Sequence, residues 1–196
     1  MPYFTVDDLA GLETDRNYLK TLLSRYEKGG RVIRLKRGTY VARDYLSLLK
    51  ERRAFEDYKE FVSNLLYTSS YLSLEYMLSK HNLLTEMPVV FTAVSDRTTA
   101  NFENELGRFS YRKISKPILD GVRAVKRGSF TILSATKAKA LFDYLYLRKD
   151  DIVDDRAIEE LRINTDELTG EDRRELSRYV AGEGSKKMKW IISNLH

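Results

Sequence analysis

The stretch Thr14–Val41, TDRNYLKTLLSRYEKGGRVIRLKRGTYV, decides how the chain is read. Its first half carries Leu19, Leu22, Leu23 and Tyr26 at the i, i+3, i+4, i+7 spacing of one helical face, with Thr14 or Asp15 able to cap the start and Gly29-Gly30 the stop. Its second half is β-rich. Arg31–Leu35 and Thr39–Val41 flank Lys36-Arg37-Gly38, whose glycine can take the positive φ of a hairpin turn. By the two-residue alternation of a strand, Ile33 and Leu35 face inward while Arg34 and Lys36 project outward.

Upstream, Thr5-Val6-Asp7-Asp8-Leu9 predicts a short helix in which Thr5 and Asp8 cap reciprocally, ended by Gly11. Two helices joined by a tight turn and followed by a basic hairpin predict a winged helix-turn-helix over residues 1–44. Charge agrees with that outline. From Arg16 to Arg43 nine basic residues face one acid, Glu27, a local excess larger than the net charge of +5 on all 196 residues. The balancing acids come late: ten lie between Asp150 and Asp172, against only Arg156 and Arg162. The molecule is polarised along its sequence, basic end first.

The remaining chain predicts a connecting helix over 45–66 and an α+β module over 67–196. Within that module Ser73–His81 reads as a helix, 89–94, 98–102, 109–114 and 129–133 as strands, and Asn104–Gly107 as a turn. An apolar helix over 137–147 precedes the acidic segment, and two terminal helices follow, around 171–180 and 185–195. The expected fold class is therefore α+β: an N-terminal winged helix-turn-helix, then a mixed α/β module with a helical tail.

Several function classes are poorly served by this composition. With no cysteine and two histidines, thiolate metal sites and disulfides are excluded, and no cofactor motif or Gly-rich phosphate loop is present. Met1–Asp8 lacks a basic stretch followed by an apolar one, and no apolar run approaches the ~18 residues of a membrane span, so a cytoplasmic protein is expected. Asp96, Glu103 and Glu105 lie near strands and could in principle converge on Mg²⁺ as in a nuclease, but a solvated hairpin is the plainer reading of them. His81, followed by Asn82, reads as a helix end. No catalytic residue is assigned, and the chain is expected not to be an enzyme.

The expected interface residues follow from the helix and hairpin. Asn17, Lys20, Thr21 and Ser24 fall opposite the leucine face, with Arg16 at the helix tip, where a recognition helix presents side chains to base edges. Arg34, Lys36 and Arg37 on the wing would meet phosphates or the minor groove. In the last helix Met188, Ile191, Ile192 and Leu195 form the inward stripe, which turns Trp190 outward with Lys186 and Lys187. Three lysines, with Lys189, oppose the helix dipole there, so this surface is expected to contact a partner.

Several stretches resemble a known family. Phe4–Leu9, Leu23-Ser24-Arg25 and Arg34–Tyr40 are similar to the winged-helix opening of the AbiEi family of type IV antitoxins. Ser70–Leu78, Phe102–Arg112 and Ala135–Leu147 are similar to that family's central motifs, so the resemblance spans about residues 4–148. It implies a bacterial, DNA-binding antitoxin that represses its own operon at double-stranded operator DNA. It also implies antagonism of a nucleotidyltransferase-type toxin, by contact or through a shared target, residing in the C-terminal module. A plain transcriptional regulator without a toxin is the alternative.

Overall fold

A computed structural model describes residues 1–114 and 120–195. The short helix expected over Thr5–Leu9 is instead strand β1 (Phe4–Thr5) followed by one 3-10 turn at Asp7–Leu9, because Phe4 and Thr5 pair with Tyr40 and Thr39. The Thr5 amide and hydroxyl both donate to the Asp8 carboxylate at 2.7 Å, and the Asp8 amide donates back to Thr5 Oγ1 at 3.3 Å. Helix α1 (Arg16–Lys28) starts on Asp15, whose carboxylate accepts from the amides of Asn17 and Tyr18 at 2.8 and 3.2 Å. Past its end, Gly30 takes a φ of +68° and turns the chain into β2 (Val32–Lys36), which pairs antiparallel with β3 (Thr39–Ala42). β1 joins the other side of β3, giving a three-stranded sheet in the order β1-β3-β2.

The helix expected over 45–66 is instead two helices, α2 (Arg43–Glu51) and α3 (Phe55–Leu66). The reason is phase. Leu49 and Tyr58 are both buried, yet nine residues are about two and a half helical turns, which would set them on opposite faces of one rod. The break at Arg53, with φ of +57°, re-phases the two stripes so that both meet the same core. That core also includes Ile33, Leu35 and Val41, so the hairpin's inner face packs with the central module and the boundary at residue 44 is one of chain order only. A smaller cluster of Leu23, Val32 and Tyr40, with Phe4, Val6 and Leu9, joins α1 to its sheet.

The central sheet has six strands in the order β6-β7-β5-β4-β9-β8. These are β4 (Ser70–Leu72), β5 (Val90–Ser95), β6 (Ala100–Asn104), β7 (Gly107–Lys113), β8 (Val122–Arg127) and β9 (Phe130–Ala135). Antiparallel hairpins β6–β7 and β8–β9 form the two flanks. Each joins the antiparallel central pair β4–β5 through a parallel contact. β4 and β8 are additions to the sequence reading.

Helix α4 (Leu74–Lys80) packs on β5, and α5 (Lys137–Arg148) packs on α4 and on α7 (Gly170–Glu183). The acidic segment contains the short α6 (Asp155–Glu159), and α8 (Lys186–Ser193) closes against α7 and α5. The molecule is thus mixed α+β. Among the described residues no helix is long and apolar enough to cross a membrane.

A candidate nucleic-acid interface

Leu19 and Leu23 are buried, and they orient α1. Asn17, Lys20, Thr21 and Ser24 are accordingly exposed, and the helix brings them to one side. Lys28 falls on the same side, at i, i+4, i+7 and i+11 from Asn17, and the sequence reading missed it although helical spacing alone would have found it. The Thr21 hydroxyl donates to the Asn17 carbonyl at 2.9 Å, leaving its oxygen free to accept.

The N-terminal tip of α1 has a different character. Asp15 occupies the first amides, Glu13 accepts from the Asp15 amide at 2.9 Å, and Arg16 is ion-paired with Asp7. The positive end of the helix dipole is therefore already answered by carboxylates. Arg16 and Asp7 are both largely exposed, so their pair contributes little to stability and opens readily. The middle of α1 is the part left open for a ligand.

On the hairpin the structure separates the three expected cations. Arg34 and Arg37 are exposed and carry no ion pair among the described residues. Lys36 corrects the expectation that it projects outward with Arg34. A register shift between Arg34 and Lys36 turns it back, and its ammonium donates to the carbonyls of Leu65 at 2.7 Å and Leu66 at 3.1 Å. Those carbonyls end α3 and have no partner within the helix, so the lysine serves as that helix's cap. Burial lowers its pKa from the ordinary lysine value.

Carboxylates also border the hairpin. Arg34 and Arg37 share a shallow depression with Glu27, Glu103 and Glu105. Two of these acids are engaged, Glu105 by Arg43 at 2.7 Å and Glu103 by Arg108 at 3.2 Å. The Asn104 side-chain amide donates to the Leu35 carbonyl at 3.0 Å, fastening the β6–β7 turn to the hairpin.

The other expected sites separate in the same way. Trp190 does not stand free on the outer side of α8: it is half-buried against the main core, with the Lys187 ammonium 4.5 Å from the ring centre. Because α8 packs against both α7 and α5, the flank carrying Trp190 is covered along with the Met188 and Ile191 stripe. Lys186 remains exposed. Asp96, Glu103 and Glu105 do not converge, and the described residues contain no group of three or more His, Asp or Glu that could hold a metal. His81 forms the end of α4, with its amide on the Met77 carbonyl at 3.0 Å.

Fold and surface together define a mixed α+β protein whose amino-terminal helix and hairpin expose an excess of basic side chains and the amide of Asn17. No protein-family model matches the chain, and no curated protein matches it.

Proposed function

We propose that the chain is a cytoplasmic DNA-binding regulator in which α1 is the recognition helix and β2–β3 the wing of a winged helix-turn-helix. The observation that carries this reading is the open face of α1, with Asn17, Lys20, Thr21, Ser24 and Lys28 exposed together and followed by the exposed Arg34 and Arg37 of the hairpin. Asn17 supplies the amide suited to adenine and Lys20 an ammonium suited to guanine, while the arginines supply charge for phosphates. Lys20, Arg25, Lys28, Arg34 and Arg37 amount to about five phosphate or base contacts, and the affinity would then fall with a salt slope of roughly −4 to −5.

The resemblance of residues 4–148 to AbiEi antitoxins extends the proposal. The regulator would repress its own operon and counteract a nucleotidyltransferase-type toxin. The test is a gel shift with the DNA upstream of the chain's own gene. A complex that survives excess scrambled duplex supports the reading, and equal affinity for both duplexes ends it. Rescue of growth during expression of a neighbouring nucleotidyltransferase separates the antitoxin from a regulator without a toxin.

A further inference from the structure

The six-stranded sheet ends on β8, which among the described residues pairs with β9 alone. In an antiparallel ladder every second residue turns its N–H and C=O away from the partner strand. The outer edge of β8 therefore presents backbone groups that no described strand, helix or loop receives.

A groove lies beside that edge. Arg123, Val125 and Arg127, which share one side of β8, line it together with Met77 and Lys80 of α4 and with Thr136, the cap of α5. Arg123 also lines its continuation along α7, where Arg173, Arg174 and Arg178 form the far wall. Glu171 and Glu175 border both parts, so β8 and α7 face each other across one channel.

Three of the four acids lining this channel already have partners. Glu175 accepts from the Thr136 hydroxyl at 2.8 Å and from the Tyr179 hydroxyl, and Asp172 accepts from the Thr169 hydroxyl at 2.8 Å. Glu60 accepts from the Tyr76 hydroxyl at 2.6 Å and pairs with Lys80. Arg123, Arg127, Arg174 and Arg178, by contrast, are exposed and carry no ion pair among the described residues. Charges on an edge strand often serve only to keep other strands away. That accounts for Arg123 and Arg127, but not for Arg174 and Arg178, which stand on a helix across the groove.

We propose that an extended acidic segment of a partner protein adds to β8 as a further strand, its carboxylates pairing with these four arginines. The register defines its sequence. Residues directly opposite in a ladder share a face, so the side chains set against Arg123, Val125 and Arg127 come from alternate positions and read acidic, apolar, acidic. Val125 supports the middle one, backed by the buried Ile132 opposite it on β9. The inference is independent of the DNA reading, since no residue of α1 or of the β2–β3 hairpin lines the groove. Nucleic acid matches the arginines by charge but makes no use of the open backbone edge, and it would meet the exposed Glu171 at the rim.

The experiment is fluorescence anisotropy of the full chain with the labelled peptide TETVTET. Saturable binding is expected, and it weakens as salt rises. Arg123→Glu with Arg127→Glu weakens it by about tenfold or more. Should that variant fail to fold, Arg174→Glu with Arg178→Glu replaces it and must give the same loss. Two N-methylated peptides separate strand addition from charge attraction, one methylated on Glu-Val-Glu and the other on the intervening threonines. Each alternate set turns its amides to one side of a strand, so one of these peptides loses binding and the other keeps it. No binding of TETVTET, binding indifferent to the substitutions, or equal binding of the two methylated peptides overturns the proposal. An oligonucleotide that binds through the same arginines while the peptide does not overturns it in favour of nucleic acid.

Discussion

Lys139 and Asp143, one turn apart on α5, form an ion pair in which neither side chain reaches solvent. The hydroxyls of Tyr71 and Ser73 donate to the other carboxylate oxygen of Asp143 at 2.9 and 2.8 Å, tying β4 and the start of α4 to α5. The rings of Tyr71, Phe142 and Tyr179 surround the ammonium at 5.3 to 5.7 Å. Burial pushes the lysine pKa down and the carboxyl pKa up, and their mutual attraction opposes both shifts. Removing one partner strands a buried charge, so Lys139→Met or Asp143→Leu lowers stability by about 3–5 kcal/mol. The double variant loses less than the sum of the two, and chemical denaturation of the four proteins measures the coupling. Additive losses would mean the pair is not coupled.

Lys36 and Arg37 are neighbours in sequence with different partners, so their substitutions separate stability from binding. Lys36→Ala leaves the carbonyls of Leu65 and Leu66 without their donor and costs about 1–2 kcal/mol of stability. It leaves DNA affinity per folded molecule nearly unchanged. Arg37→Ala leaves stability nearly unchanged, weakens binding to all sequences alike and reduces the salt slope by about one. Thermal denaturation and fluorescence anisotropy on the same two variants give both readouts, and a loss of salt slope in Lys36→Ala would reverse the assignment.

Asn17 stands on the open face of α1 with no side-chain bond to another residue of the described chain. Its replacement by alanine should alter which duplexes are preferred, by about 1–3 kcal/mol at a single base pair, without changing the salt slope. Binding to a panel of singly substituted operators shows this, and an unchanged order of preference removes Asn17 from base reading.

Features with local causes were legible in the sequence. The leucine spacing of α1, the Asp15 cap and the glycine of the hairpin turn all act within a few residues, and the structure has them where periodicity put them. The orientation of Lys36 was not legible, because the carbonyls that hold it lie 29 and 30 residues downstream. β4 escaped notice because a three-residue strand is too short to show a period, and β8 because a half-exposed edge strand carrying Arg123, Lys126 and Arg127 reads as a charged loop. Leu49 and Tyr58 do encode the break between α2 and α3, through their conflicting phase. Trp190 was misplaced because the flank that covers it depends on α5 and α7 meeting α8 in space.

Gly121 illustrates a constraint set wholly by tertiary structure. Its φ is +89°, and a Cβ there would overlap the Tyr179 hydroxyl and stand 3.1 Å from Lys139 Cβ. Gly121→Ala combines a strained backbone with overpacking, each costing about 1–3 kcal/mol. Adding Tyr179→Ala relieves the clash with the ring and leaves the backbone strain together with the tight approach to Lys139 Cβ. Denaturant midpoints of the single and double variants measure the split, and a single variant as stable as the parent would show that the glycine is dispensable.

His81 gives the chain a dependence on pH with a determinate sign. Burial lowers its pKa from the ordinary 6.5, against the raising effects of a hydrogen bond to the Ala135 backbone and of Asp172; Lys137 and Lys80 lower it further. Its Nε2 is buried without a hydrogen-bond partner, so the protonated ring would carry its charge in a desolvated place with one nitrogen unpaired. The unfolded chain therefore takes up the proton more readily than the folded one. The histidine's contribution is full above pH about 6.5 and is lost as pH falls through the folded-state value, at no more than about 1.4 kcal/mol per pH unit. Urea midpoints should fall between pH 7 and about 5, before most carboxylates titrate, and His81→Gln should flatten that part of the profile. A His81→Gln profile that keeps the full slope would assign the titration to another group.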